Sequence, residues 1–457
     1  MLGRTLDDLR SAMQSWYDEA SEAISGNPRY IAGRMTEQWR RSADGVYRPD
    51  RVHEYIWAPR HSDLRQLPAY AALCDAAAAS AVVGPLVGQE PGTVTSYFSF
   101  DFHQFAMSVL PSPKEFRLGQ MPPFAARYDD LEGRLAAETV RYEIIHFLRN
   151  VTFELDRVEL GPDLVIERLA PSVVEQALDG CALRLVFGSK REYKPAEDAA
   201  FGLKRTVRAP RIPSEDVTAG QGKPIGELLG PGEAAEALLQ CLALMSGQGV
   251  HVSGTVMRRI DDDFSASGDW RIWAVLPERR IPGGGFRLSA ARCAELQQFW
   301  RITQGESFPA NRALALAVRR LSFAAQRERD EDRLMDILIA AEAFYLADTG
   351  RDELKYRLAL RAALWSDSSL AGWDRRQVRD HMGRAYDLRS TVAHGGDPKP
   401  KDIRVRGQQA SLAEFVLATE DIVRHALHKA VHQISPGAGR SPIAWEDLVL
   451  PEGSGDA

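Results

Sequence analysis

The stretch Tyr386-Asp387-Leu388-Arg389-Ser390-Thr391-Val392-Ala393-His394-Gly395-Gly396 decides how the C-terminal part of the chain is read. It reads as the end of a helix that starts near Asp374 and stops at two glycines, which can take the left-handed conformation of a helix C-cap. At about 100° per residue, Val378, Met382, Ala385 and Val392 share one apolar stripe, and Arg389 falls in its middle. A guanidinium stays charged and is rarely buried without a partner. Arg389 therefore marks a subunit interface, a cleft or a buried ion pair. His394 lies about 140° further round an ideal helix, so the two side chains need not converge within one subunit. A two-fold axis pairing two copies of the helix would bring them together.

Upstream stand Arg333-Leu334-Met335-Asp336-Ile337-Leu338-Ile339-Ala340-Ala341-Glu342-Ala343-Phe344-Tyr345-Leu346 and Glu353-Leu354-Lys355-Tyr356-Arg357-Leu358-Ala359-Leu360-Arg361-Ala362-Ala363. In that order the three segments resemble the HEPN superfamily, in its Apea-like branch, over about residues 328–434. The resemblance implies an all-helical domain that dimerises and cleaves RNA without a metal. It also implies that Arg389 and His394, an Arg-x4-His pair, carry the chemistry. Many HEPN proteins place Asn, Asp or His directly after the arginine, where this chain has Ser390. Ser390, Tyr386, Asp387 and Glu342 are the supporting candidates around the pair.

The residue types suit that chemistry. RNA carries its own nucleophile, the 2′-hydroxyl, so the protein needs a proton acceptor and a cation for the phosphate. A histidine titrates near neutrality and serves as base or acid. An arginine fork holds phosphate oxygens as charge builds. Without the family resemblance, the preferred reading of the pair is donors that tie down a helix end, with His394 against the last carbonyls. Glu342, in an otherwise apolar helix, is expected to form a buried ion pair with Arg357 or Arg361. His425, His428 and His432 lie near one face of the last helix at a spacing that can bind metal. With no Cys or carboxylate apparent to complete the set, they read as a packed or solvated face.

At 457 residues the chain has room for two or three domains. Its 44% hydrophobic and 26% charged residues are those of an ordinary globular protein. A net charge of −6 and a pI near 6.0 exert no global pull on nucleic acid. Residues 331–435 hold sixteen Lys or Arg and sixteen Asp or Glu, so any RNA contact must be a local patch. Cys74, Cys181, Cys241 and Cys293 show no CxxC pair, and no secretory leader precedes them. Reduced thiols in a cytoplasmic protein are the expectation. The apolar run Ala76 to Val87 is too short to span a bilayer.

In chain order, a helix is expected at 5–25 with Thr5 as N-cap, and another at 63–83. His53-Glu54-Tyr55-Ile56-Trp57 begins like a zinc-protease helix but has Trp where the second His is required. A strand is expected within Thr93 to Val109 and a helix at about 129–149. The alternation of 152–160 and 164–169 around Gly161-Pro162-Asp163 predicts a hairpin. Strands follow at 182–187, 203–207, 249–257 and 269–276, with helices at 233–246 and 289–303. Asp261-Asp262-Asp263 reads as a solvated turn. Gly283-Gly284-Gly285 is a connection lacking the nucleotide-loop ending. Helices fill 311–434, broken by a charged loop at 398–406.

The fold expected is α+β: a mixed α/β N-terminal and middle region followed by an all-α HEPN-like helical bundle. Its units are 1–150, mainly helical; 151–310, mixed with antiparallel strands; 311–435, HEPN-like; and 436–457, a flexible tail. The functional expectation is a metal-independent endoribonuclease of bacterial anti-phage defence or growth arrest, acting as a homodimer on RNA under a regulatory or phage-derived trigger. It needs no cofactor, no metal and no membrane. The alternative is a non-catalytic HEPN module that dimerises and binds RNA, nucleotide or protein.

Overall fold

The computed structural model describes residues 2–26, 31–57, 64–87, 102–110, 121–135, 137, 139–179, 200–210, 232–247, 249–261, 270–275, 285–348, 353–366, 370–434, 443, 445 and 448. It is an α+β fold. Helix α1 (Leu2–Gly26) starts before Thr5, which therefore lies inside the helix and does not cap it. Leu6, Leu9, Met13, Trp16, Ala20 and Ile24 form its buried stripe. An antiparallel hairpin follows, β1 (Ile31–Arg41) with β2 (Tyr47–Trp57). His53–Trp57 is thus strand, with no helix to carry a zinc motif. Helices α2 (Pro68–Ala79), α3 (Phe102–Met107) and α4 (Phe124–Leu135) share one buried cluster with α1. The strand expected within 93–109 is corrected by α3 from Phe102 on, and 93–101 lies outside the described residues.

The helix expected at 129–149 is also corrected. Helix α4 ends at Leu135, and β3 (Thr139–Arg149) is an interior strand of the main sheet. Val140, Tyr142, Ile144, Ile145 and Phe147 are β-branched or aromatic and all buried. Both faces of the strand are covered along most of its length, so the sequence lacks the alternation that announces a half-buried strand.

The next elements are β4 (Val151–Phe153), β5 (Arg157–Gly161), β6 (Leu164–Arg168), α5 (Pro171–Asp179), β7 (Phe201–Pro210), α6 (Gly232–Met245), β8 (His251–Arg259), β9 (Trp270–Val275) and β10 (Phe286–Leu288). The main sheet has the order β5-β6-β7-β3-β8-β9, with every neighbouring pair antiparallel. The expected hairpin is β5–β6, paired Val158↔Ile166. Residues 151–153 instead join β10 in a separate parallel pair. Asp261 binds Arg141 through both carboxylate oxygens, at 2.8 and 2.9 Å, and so closes the sheet's end. The strand expected at 182–187, Cys181 and Gly283-Gly284 lie outside the described residues.

The helices then run α7 (Ala290–Gln304), α8 (Arg312–Ala324), α9 (Asp330–Tyr345), α10 (Leu354–Trp365), α11 (Arg375–Ala393) and α12 (Leu412–His432). Ser289 and Asn311 cap α7 and α8, and a Ser411/Glu414 capping box starts α12. The loop expected at 398–406 carries a short 3-10 turn and leads into a two-residue hairpin. One buried cluster runs from Leu148 to Trp445, so the middle sheet and the C-terminal helices share a core. Within the tail expected to be flexible at 436–457, of which only residues 443, 445 and 448 are described, Trp445 is packed. Its ring is buried against Phe344, Tyr345 and Trp365, with the Arg361 guanidinium over it.

Helix α9 packs against α8, α10, α11 and α12. Its Arg333 is buried, donating Nε to Glu420 on α12 at 2.7 Å and Nη2 to the Gly247 carbonyl at 2.8 Å. Arg424 also reaches Glu420. A Cβ at Gly247 would crowd the Arg424 guanidinium and sit 2.8 Å from a Glu420 carboxylate oxygen, so those side-chain ends would have to shift. Arg333→Ala leaves Glu420 buried with one partner fewer, and removal of one member of such a pair costs about 3 kcal/mol. A fall of that size in urea-unfolding stability, with an unchanged m-value, is the expected result. A change within about 0.5 kcal/mol would show that water replaces the guanidinium.

Candidate functional site

Helix α11 is set at both ends by sequence. Asp374 accepts from the Gln377 N–H at 2.8 Å while Gln377 accepts from the Asp374 N–H at 3.1 Å, a reciprocal capping box. At the C-terminus Gly395 takes φ +74°, its N–H donates to Val392 O and the Gly396 N–H donates to Thr391 O, each at 2.9 Å. That is a Schellman ending, and a residue with a Cβ would be strained at Gly395. His394 is the C-cap residue, its N–H donating to Ser390 O at 3.2 Å.

Val378, Met382, Ala385 and Leu388 are buried on the helix's core side, whereas Val392 is only half-buried. His381 anchors the same helix: its Nε2 is 2.9 Å from Thr419 Oγ1 of α12, and its ring stacks on Phe415 at 4.3 Å. Burial first, then the nearby Arg384 charge, pushes the His381 pKa down to about 3.

Arg389 is half-buried, and its Nη2 meets Glu342 Oε2 of α9 at 3.4 Å. Glu342 is therefore partnered by Arg389, which corrects the expectation of Arg357 or Arg361. Arg361 is taken by Asp348 and the Tyr345 carbonyl, both at 2.6 Å. The Arg389–Glu342 contact is long and single. The Arg389 Nε is buried without a hydrogen-bond partner among the described residues. Burial raises the Glu342 carboxyl above its usual range, only partly offset by Arg389. A guanidinium has five donors, so most of Arg389 remains uncommitted.

The supporting candidates divide. Asp387 is exposed and paired with Lys355 of α10 at 2.6 Å. Tyr386 packs half-buried against the core. Ser390 is half-buried beside Arg389 and contributes its carbonyl to the helix ending. His394 is exposed, and its imidazole has no hydrogen-bond partner among the described residues. The structure thus joins Arg389 to Glu342 but leaves His394 in solvent.

A second constellation needed three-dimensional contact to be seen. Glu295 of α7 faces the last helix, with Oε1 at 2.7 Å from His428 Nε2 and 4.0 Å from His432 Nε2. It is the carboxylate that was not apparent in the sequence. His432 is held below its usual range by burial first and by His428, with Glu295 opposing. His425 is not in this group of ligand atoms. Cys74, Cys241 and Cys293 are free thiols, and burial raises all three. No described helix is long and apolar enough to cross a membrane.

Comparison with family models, curated proteins and solved structures finds no match to the chain.

The buried imidazole of α11 sets a pH dependence. The unfolded histidine takes up a proton near pH 6.5, but the folded one does so only near pH 3. Stability present above 6.5 is therefore lost as pH falls through that window, at about 1.4 kcal/mol per pH unit. His146, buried against Thr255 Oγ1 at 2.8 Å and lowered to about 4, acts in the same direction. His381→Gln should flatten the stability–pH slope between about pH 6 and 4.5 by about that amount. An unchanged slope would mean that His381 is protonated in the folded protein.

Proposed function

We propose that residues 311–435 form a metal-independent endoribonuclease of the HEPN type, acting in the cytoplasm in bacterial anti-phage defence or growth arrest. The observation that supports this most is Arg389 itself: a half-buried guanidinium with one long contact and an unpartnered Nε. A phosphate would offer the bidentate acceptor that Glu342 does not provide. With Arg389 on the phosphate, one His394 takes the 2′-hydroxyl proton as the 2′-oxygen attacks phosphorus. The bond from phosphorus to the 5′-oxygen breaks, and a second His394 returns a proton to that oxygen. The products are a 2′,3′-cyclic phosphate and a 5′-hydroxyl. Because His394 is exposed at the helix end, the second histidine is assigned to another copy of the chain in a two-fold dimer.

The second reading is a non-catalytic dimerisation and binding module for RNA, nucleotide or protein. The Arg389–Glu342 contact favours it, since an arginine held by a carboxylate can be structural alone. Labelled transfer and messenger RNA incubated with the purified chain in EDTA separate the two. Cleavage that survives chelation and falls by at least ~100-fold in His394→Ala and Arg389→Ala, with both variants folded, fits general acid–base and phosphate roles. Wild-type chains mixed with His394→Ala chains should lose more activity than dilution explains. No cleavage under any trigger condition supports the binding module. An unfolded Arg389→Ala makes Arg389 a structural partner of Glu342, and a strictly proportional loss on mixing removes the composite site.

A further inference from the structure

We propose that Glu295, His428 and His432 form a binding site for a divalent transition metal, Zn2+ being the best fit, which clamps α7 to α12. His428 and His432 stand one helical turn apart on α12, and Glu295 approaches from the facing helix. One ligand atom from each residue lies within 4.8 Å of the others. Tetrahedral zinc, with metal–ligand distances of about 2.0–2.2 Å, places its ligands about 3.3 Å apart. The observed 2.7 and 4.0 Å from Glu295 Oε1 to the two Nε2 atoms straddle that spacing. Small side-chain rotations therefore bring all three atoms onto one ion.

The surroundings support a built site. The Phe299 ring, fully buried, lies 4.9 Å from the His428 ring and 4.6 Å from the His432 ring, and fixes both against an apolar floor. Such a floor lowers the local dielectric and strengthens ligation. Arg292 Nε lies 3.0 Å from the other Glu295 oxygen, though not aligned for a hydrogen bond, and its Nη2 is anchored on the Met245 carbonyl at 2.6 Å. With Oε2 facing that charge, Oε1 is left to bind singly. Two imidazoles and one carboxylate oxygen suit Zn2+ and its neighbours, whereas Ca2+ and Mg2+ require more oxygens. His432 also lines an open depression of about 620 Å³, so water can complete the coordination.

The ribonuclease reading has no part in this site, and the two stand or fall separately. The full chain, stripped with EDTA and dialysed, is titrated with Zn2+ by calorimetry and with Co2+ by visible absorption. One saturable equivalent, a tetrahedral Co2+ band and a rise in Tm with Zn2+ are expected. Glu295→Gln, His428→Asn and His432→Asn should each weaken binding at least ~100-fold and abolish the band, while His425→Asn leaves both unchanged. Absence of a saturable equivalent and band in the wild-type chain overturns the proposal, whatever the variants do. Binding that persists undiminished in folded Glu295→Gln and His432→Asn overturns it as well.

Discussion

Helix α9 is apolar along most of its length beyond an acidic first turn, and Arg333, Asp336 and Glu342 each bind a different neighbour. Arg333 holds Glu420 of α12, Asp336 holds Arg320 of α8 and Arg327 just beyond it, and Glu342 holds Arg389 of α11. Apolar ridges alone allow helices to slide by a turn with modest loss, since one aliphatic contact resembles the next. A buried charge does not allow it, because a slip leaves the ion without a partner. The three pairs therefore set the register of α8, α11 and α12 on one helix, and with it the placement of the Arg389 motif.

The pairs are not equal, and their order along α9 carries meaning. Arg333 and Glu420 are almost wholly buried, and Asp336 is held by two guanidiniums, at 3.1 and 2.6 Å. Glu342 and Arg389, at 25% and 27% side-chain exposure, meet once at 3.4 Å. Burial leaves an orphaned Arg389 Nε and a Glu342 carboxyl shifted toward protonation, as it leaves an orphaned Arg320 Nε at the second pair and a raised Glu420 carboxyl at the first. What sets the third pair apart is its single long contact and its partial exposure, where α11 approaches its end.

Local chemistry made some of this legible in the sequence. The start near Asp374 and the glycine pair at 395–396 bound α11 in the sequence, because caps are written in adjacent residues, whereas the reciprocal part of Gln377 appears only in the structure. Arg389 on an apolar stripe announced a partner, but not which one. Position along neighbouring helices favours Arg357 or Arg361 for Glu342, but Asp348 and the Tyr345 carbonyl occupy Arg361. The strand at 139–149 was read as helix because a strand covered on both faces loses its period of two. The packing of Trp445 is not legible locally, since its Gly- and Pro-rich surroundings speak for looseness while its ring answers to Phe344 and Trp365. Glu295 is not legible for a simpler reason: it stands 133 positions from His428 in the chain, and no local pattern links the two.

The ending of α11 constrains how Arg389 and His394 can act together. The Schellman bonds at Gly395 and Gly396 fix the cap, so His394 cannot be drawn toward Arg389 by winning another helical turn. Unwinding the cap would expose carbonyls that these two N–H groups now satisfy. The remaining freedom is the imidazole's own rotation in solvent, while Arg389 stays facing α9. A single chain thus presents the exposed His394 imidazole and the half-buried Arg389 guanidinium on different sides of one helix end. Any chemistry requiring both must supply the missing half from outside that helix. In the ribonuclease proposed above, a second copy of α11 across a two-fold axis would add the same helix end in inverted order without rearranging either cap.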